Sequence, residues 1–337
     1  MGKLQPLSGL PCPSFYLLSY CMLYSTSPTI LCAGELLMDL ISTEYAENFR
    51  AADRYQRLPG GSPANLAMNL ARLGQSVTLV AAVGNDDAGG LLIDALRDAG
   101  VDVSRIRQVA DPTTLILVTK SQAVSNFEPY RLADRRIASD QFNGLDWSSL
   151  KLLHTTAFAL SKEPARTAIL DAFERGAAAG AKRLGPRLSI DFNYADKIWN
   201  KNRKAGRATL KWFAEKGALI KISDVDFNRV FGSEVDDPAE AARRIYEAGA
   251  ELVCLTLGDK GCYVVSRKEE FHLSARTLEV VDTTGAGDAF WSGFLAAYVE
   301  RSGYRDCALA GRATAERQLT RLGPIVDDLS VNELLKS

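Results

Sequence analysis

The sequence predicts an α/β fold: a mainly parallel β-sheet covered by helices on both faces, with a small β-sheet lid. Three observations carry that expectation. Short apolar runs alternate with helix-length segments along most of the chain, the rhythm of repeated βα units. Polar or glycine-rich turns follow many of the runs, where open α/β sheets bind their ligands. Two stretches, 36–58 and 112–135, break the rhythm with β-like patterns and mixed polar and aromatic residues such as Tyr45, Phe49, Tyr55, Phe127 and Tyr130. Paired, these two stretches form a small sheet standing over the strand ends, or an ordinary edge hairpin.

In chain order, Thr29–Ala33 reads as a buried strand ending at Gly34-Glu35, and a second apolar run, Leu36–Ile41, contains Asp39. The turn Pro59-Gly60-Gly61-Ser62-Pro63 precedes a helix, Ala64–Leu73, with Pro63 suited to its first position and Gly74 to its end. Val77–Val83 is a strand and Ala88–Ala99 a helix closed by Gly100. Further strands are expected at Leu115–Thr119, Leu152–Thr155, Leu188–Asp191, Ala218–Ile222, Leu252–Leu257 and Cys262–Val265. Helices are expected at Pro164–Ala179, Arg203–Glu215, Pro238–Ala248, Ala289–Arg301 and Ala308–Leu322.

A chain of 337 residues, 47% of them hydrophobic, is long enough for a large core. Its net charge of −1 lacks the basic footprint of a nucleic-acid binder. Six cysteines without CxxC spacing and only two histidines indicate neither a zinc site nor a disulfide framework, and fit a reducing cytoplasm. Residues 1–28 read as a disordered extension. Their apolar stretch, Phe15–Leu23, superficially resembles a secretory signal, but it is interrupted by tyrosines and Cys21 and no small-x-small cleavage site follows. No stretch reaches the length of a membrane span.

Val280–Gly293, VVDTTGAGDAFWSG, carries the chemistry. An apolar run enters a turn of Asp, Thr and Gly, and a helix leaves it. Backbone N–H groups at a helix N-terminus favour an anion, and glycines at 285 and 287 remove the Cβ atoms that would keep a phosphate away. An acid at 288, inside an anion site, is costly unless it has work to do. Taking a proton from a hydroxyl as phosphate arrives is such work.

Other turns suit the partners of that reaction. Asp39 can accept from two hydroxyls of a polyol and Asn65 can donate and accept, with Gly60 and Gly61 allowing close approach. Asp39 serves equally as a turn or capping residue. Arg131, after Tyr130, reaches down from the lid to a hydroxyl or carboxylate, or is an exposed hairpin arginine. Asn193 stands in another strand-end turn. Thr256, Gly258 and Gly261 form a turn that can hold nucleotide phosphates or be a plain β-turn. Ser223 and Asp226 offer oxygen ligands that reach Mg²⁺ through water, or a helix N-cap. There is no GxxxxGK[ST], GxGxxG fails at Phe290, and no GxSxG occurs, which disfavours a P-loop NTPase, a nicotinamide dehydrogenase and a serine hydrolase.

Residues 60–90, GGSPANLAMNLARLGQSVTLVAAVGNDDAGG, and 282–294, DTTGAGDAFWSGF, together resemble the two signatures of the ribokinase-like (PfkB) carbohydrate kinases. The resemblance runs from Thr29 to the C-terminal helix. It implies a ribokinase-like domain over 29–337 with a lid, and an ATP-dependent sugar kinase of fructokinase type. By position it implies that Asp288 is the catalytic base and that Gly285, Ala286 and Gly287 form the anion hole. Asp39, Gly60, Gly61, Asn65, Tyr130, Arg131 and Asn193 match sugar-side positions, Arg131 as the lid arginine of a YR…AD pattern. Ser223, Thr256, Gly258 and Gly261 match the nucleotide side, and Asp226 an indirect Mg²⁺ position. Asp282 and Thr284 match a monovalent-cation site, K⁺ among the candidates. A homodimer through the lid is a further family expectation.

The chain departs from the family at three places. Ser223…Asp226 replaces the metal-associated Asn-x-x-Glu. Ala195 stands where acid-sugar kinases carry an arginine, which argues against 2-keto-3-deoxygluconate, the alternative substrate. The YR…AD stretch is two residues shorter than in typical fructokinases. From another class, a non-catalytic sugar or nucleotide sensor is disfavoured, because a pure binder has no use for a base in an anion site.

Overall fold

The structure is a computed structural model that describes residues 29–336, apart from 47, 121–125, 181–184, 322 and 324. The expected N-terminal extension lies outside the described residues. The strands are β1 (Ile30–Ala33), β2 (Leu37–Ser42), β3 (Tyr55–Gly60), β4 (Val77–Gly84), β5 (Ile106–Val109), β6 (Leu115–Thr119), β7 (Asn126–Tyr130), β8 (Leu152–Thr156), β9 (Arg187–Asp191), β10 (Leu219–Ser223), β11 (Leu252–Thr256), β12 (Cys262–Ser266) and β13 (Glu270–Leu273).

A nine-stranded sheet runs β13-β12-β11-β10-β9-β8-β1-β4-β5. Its pairs from β11 to β5 are parallel, and only β12 and β13 add antiparallel pairings at one edge. Central strands such as β1 and β4 are buried at every position, as a sheet covered on both faces requires. Alternation divides their side chains between two cores: Ile30 and Cys32 face one, Leu31 and Ala33 the other. Helices Ser62–Arg72, Asp87–Asp98, Ala286–Val299 and Tyr304–Leu319 contribute to the first core. Helices Ala165–Gly180, Arg203–Glu215 and Pro238–Tyr246 contribute to the second.

After β1 the chain builds outward to β4 and β5, then returns to place β8 on the other side of β1. That reversal opens a crevice beyond the carboxyl ends of the strands. A four-stranded sheet, β3-β2-β6-β7, adjoins it. β3 pairs antiparallel with β2 from Leu37↔Gly60 to Ser42↔Tyr55, although its segment shows no clean alternation; its Pro59 is tolerated because β3 is an edge strand.

In the motif Val280–Gly293, Val280 and Val281 are 50% and 59% exposed and belong to no strand, and one boundary differs from expectation. The helix begins at Ala286, three residues earlier than its apolar stripe suggests, because Gly285 adopts φ +74° as its N-cap. From Ala289 to Ala297 that helix is continuously buried. It packs closely on Tyr304–Leu319 at Gly293, where a Cβ would lie 2.3 Å from Thr314 Oγ1 and 2.5 Å from the Ala310 carbonyl oxygen.

Gly293→Ala is therefore expected to destabilise the protein by about 1–3 kcal/mol, overpacking outweighing the roughly 1 kcal/mol gain in helix propensity. Urea unfolding tests this: the midpoint should fall at an unchanged slope, and an unchanged or raised midpoint contradicts the packing account.

Candidate active site

Asp288 is the third residue of helix Ala286–Val299. Its carboxylate accepts hydrogen bonds from Ser62 Oγ at 2.6 Å and Asn65 Nδ2 at 2.9 Å, both from the first turn of helix Ser62–Arg72. Two helix N-termini thus meet at one carboxylate. The glycine pair before Ser62 makes this possible. Gly61 holds φ +101°, and a Cβ there would sit 2.3 Å from the Glu35 carbonyl oxygen. A Cβ on Gly60 would sit 2.1 Å from Asp39 Oδ2. The pair leaves room for Asp39 while aiming Ser62 and Asn65 at Asp288.

Behind Asp288 lies a buried ion pair, Lys221 Nζ to Asp191 Oδ2 at 2.7 Å. Strand alternation puts His154, Ser189, Asp191 and Lys221 on the sheet face covered by helix Ala286–Val299; Trp291 Nε1 donates to Ser189 Oγ at 3.0 Å. Burial pushes the Lys221 ammonium down, but the Asp191, Asp288 and Asp226 carboxylates outweigh it and hold its pKa above the ordinary lysine value. A Cβ on Gly287 would stand only 3.2 Å from Lys221 Nζ, so the glycine brings the helix turn close to this charge.

Burial and repulsion from Asp191 raise Asp288 to about 6, against the hydrogen bonds of Ser62 and Asn65 and the attraction of Lys221. Asp39 is raised to about 7 by burial and by the Asp288 charge. A cavity between the small sheet and the helix N-terminus is lined by Asp39, Leu58, Asn65, Asn69, Gly285 and Gln318, among others, with no lysine or arginine among the described residues of its wall. The N-cap Gly285, itself in the cavity wall, supplies no side-chain partner, so first-turn N–H groups lack an intrahelical acceptor, that of Ala286 donating to the Thr283 carbonyl at 3.3 Å.

This geometry, an acid between two helix N-termini at the mouth of a parallel sheet, meets three similarities to known proteins. The profile of the pfkB family carbohydrate kinases matches residues 27–330. The chain belongs to that family. Among curated relatives, the ATP-dependent 6-phosphofructokinase of Thermoanaerobacterium thermosaccharolyticum is 35% identical over 299 residues, 88% of this chain and 90% of that protein. The probable fructokinase-3 of Arabidopsis thaliana is 33% identical over 277 residues, 80% of this chain and 78% of its own. The solved fructokinase of Halothermothrix orenii superposes with a TM-score of 0.71 at 30% identity, covering 88% of this chain and 99% of that one.

The fold of this carbohydrate kinase is accordingly ribokinase-like, with the small sheet where the family carries its lid. Several side chains stand elsewhere than the sequence suggests. Arg131 does not reach down from the small sheet. Its side chain is buried, paired with Asp134 (Nε to Oδ2, 2.9 Å), stacked 4.0 Å over the Phe158 ring, and donates to the Phe158 carbonyl and Ser161 Oγ. With Asp134 three residues away its charge is already neutralised, which is why it packs inward. Tyr130 is 55% exposed and outside the cavity wall. Asn193 accepts from the Phe158 N–H at 3.0 Å and ties two strand-end loops together.

On the other side, Ser223 caps helix Asp224–Phe231, accepting from Asp226 N at 3.0 Å and donating to Asp226 Oδ2 at 2.7 Å. Asp226 Oδ1 accepts from Arg229 at 3.2 Å, and burial lifts this carboxyl to about 6. Both of its oxygens are engaged, and among the described residues no group of three or more His, Cys, Asp or Glu is placed to hold a metal ion. Thr256 ends β11 opposite Ser223; Gly258 has φ +59° and open space beside it. Gly261, φ +94°, is required by packing, since a Cβ would lie 2.0 Å from the Leu273 carbonyl oxygen.

Ser62 and Lys221 are site residues that the sequence reading passes over. Lys221 had a signal: a lone charge inside the apolar strand LIKIS. Ser62 had a weaker one, a hydroxyl at the first position of a helix whose cap is glycine.

A base must be ionised, and Asp288, proposed below as the base, has a pKa raised to about 6 and is protonated below that value. Activity measured as kcat/KM should therefore rise with pH along an acid limb between about 6 and 7, where Asp39 also ionises. Lys221→Met, which removes the attraction holding Asp288 down, should move that limb upward. A limb that stays in place in Lys221→Met, or one near pH 4, contradicts this electrostatic picture.

Proposed function

We propose that this kinase transfers the γ-phosphoryl group of ATP to a hydroxyl of a neutral sugar of the fructose type, with Asp288 as general base. The observation that carries the proposal is Asp288 itself: a carboxylate with a pKa raised to about 6, at a helix N-terminus, near enough to Asp39 for its charge to raise that carboxyl too.

In this reading the sugar lies between Asp39, Asn65 and the small sheet, its hydroxyls donating to Asp39. The attacking hydroxyl donates to Asp288, and its proton passes to that carboxylate as the oxygen attacks phosphorus. Hydrogen bonds from Ser62 and Asn65 keep Asp288 aimed. The N–H groups of Gly285, Ala286 and Gly287 and the helix dipole stabilise the transferring phosphoryl, and Lys221 supplies positive charge behind it. Phosphoryl transfer asks for this positioning and charge stabilisation rather than covalent chemistry. Mg²⁺ bound with ATP would neutralise phosphate charge; Thr256, Gly258 and Gly261 would hold the nucleotide side, and Ser223 and Asp226 are the residues that would hold the metal's water shell. The ATP-dependent name of the 35% identical relative supports the donor.

That same relative favours a second reading, fructose 6-phosphate as acceptor. The cavity speaks against it: its wall carries Asp39 and no lysine or arginine, and Arg131 is committed to Asp134. A phosphate dianion would meet repulsion there. 2-Keto-3-deoxygluconate, an anion, meets the same objection together with Ala195. The open edges of the small sheet, β3 and β7, are suited to a homodimer across the lid. The four free, buried cysteines among the described residues fit a cytoplasmic enzyme.

A panel of sugars with ATP·Mg²⁺, reading ADP release, tests the assignment. Fructose should show the highest kcat/KM and fructose 6-phosphate and 2-keto-3-deoxygluconate lower values by about tenfold or more, the low end of what a like charge facing Asp39 costs. A higher kcat/KM for either anionic sugar overturns it.

A further inference from the structure

The family resemblance places a monovalent cation at Asp282 and Thr284, and the residues present do not fit one. Asp282 Oδ1 already accepts from the Thr284 N–H at 3.0 Å and the Thr284 hydroxyl at 2.9 Å. The Leu319 carbonyl at the end of helix Tyr304–Leu319 accepts from the N–H groups of Val281 and Asp282 at 2.8 and 3.3 Å. Between the 282–285 turn and the chain beyond that helix, at the wall of the cavity that Asp282, Thr284, Gly285 and Gly323 also line, stands a side chain. Gln318, 6% exposed, extends its amide there, and Nε2 donates to the Thr284 carbonyl at 3.1 Å and the Gly323 carbonyl at 3.0 Å. Both neighbours are acceptors, so only the nitrogen end of the amide can face them, and its two N–H donors are both used.

We propose that the Gln318 amide takes the place of the monovalent cation behind the anion-binding turn, so that this kinase works without K⁺. A cation in such a place pulls carbonyl oxygens of two loops together and so fixes the N–H groups of the turn. The NH₂ of Gln318 does the same with partial positive charge: it ties Thr284, next to the N-cap Gly285, to Gly323. Because Gln318 is carried on a long helix packed against Ala286–Val299, the tie is rigid and permanent rather than set by ion concentration. Gln318 is a positioning residue here; it acts through the turn and not on the reacting atoms. The inference rests on the reading of residues 285–287 as the phosphate-binding turn for its kinetic arm only.

The test compares wild type, Gln318→Ala and Gln318→Glu in KCl against tetramethylammonium chloride of equal ionic strength, by kcat and by thermal unfolding. Wild type should show the same kcat and the same melting temperature in both salts. Gln318→Ala opens the space and frees both carbonyls. It should lose about tenfold in kcat without K⁺, the worth of two hydrogen bonds, and regain most of it in KCl with a K⁺-specific rise in melting temperature. Gln318→Glu, which turns an acceptor toward two acceptors, should show the same dependence more strongly. K⁺ activation or K⁺-specific stabilisation of the wild type overturns the proposal, and that arm needs no variant to fold. A folded Gln318→Ala with undiminished kcat, or one that K⁺ neither rescues nor stabilises, overturns it as well. The melting measurement is independent of catalysis, so failure of the sugar assignment and failure of this inference are told apart.

Discussion

One buried ammonium, Lys221, has to balance the carboxylates of Asp191, Asp226 and Asp288, and the site depends on that balance. A charge taken out of water costs several kcal/mol unless it is paired, so each partner makes the others tolerable. Lys221 and Asp191 settle each other at 2.7 Å, and at Asp288 the Lys221 attraction offsets only part of the Asp191 repulsion, so that carboxyl stays raised to about 6. With less positive charge behind it Asp288 would stay protonated near neutrality; with a direct ion pair its pKa would fall and its affinity for a proton with it. The observed arrangement keeps Lys221 off Asp288 and gives that carboxylate neutral donors, Ser62 and Asn65, instead.

The scaffold supplies this balance through elementary rules of chain geometry. Alternation along β8, β9 and β10 puts polar residues on one face of otherwise apolar strands, and helix Ala286–Val299 covers that face with Trp291 and its first turn. Glycines appear where backbone or charge must approach: Gly60 beside Asp39, Gly61 against the Glu35 carbonyl, Gly287 beside Lys221, and Gly293 against the neighbouring helix. A large buried sheet can hold such a polar cluster because most of its stabilisation comes from the two apolar cores on either side.

Much of this was legible in the residues. The parallel sheet followed from the spacing of apolar runs, and the expected bounds of Leu115–Thr119 and Arg203–Glu215 are those observed. The glycine turn and its acid suggested a helix N-terminus carrying a carboxylate, and Gly285 caps helix Ala286–Val299 with Asp288 in its first turn. What stayed hidden depends on long-range contact. Val280 and Val281, an apolar pair in the sequence, stand 50% and 59% exposed. Arg131 looked like a substrate ligand until Asp134 and Phe158 were seen to enclose it. Asn65 read as a sugar contact, and its amide is engaged with an acid 223 residues away. Gln318 meets Thr284 across 34 residues, which no local pattern announces. Edge strands such as β3 and β13 owe their form to their neighbours rather than to their own sequence.

The most direct measurement is the turnover of Asp288→Asn, set beside its binding of sugar and ATP by calorimetry. Asparagine keeps the size of the side chain and can still hydrogen-bond, but it cannot take a proton. The account expects sugar and nucleotide to bind with near wild-type affinity while kcat falls by about 10²–10⁴-fold. A kcat close to the wild-type value would contradict the assignment of the base, and with it the reading of the whole site.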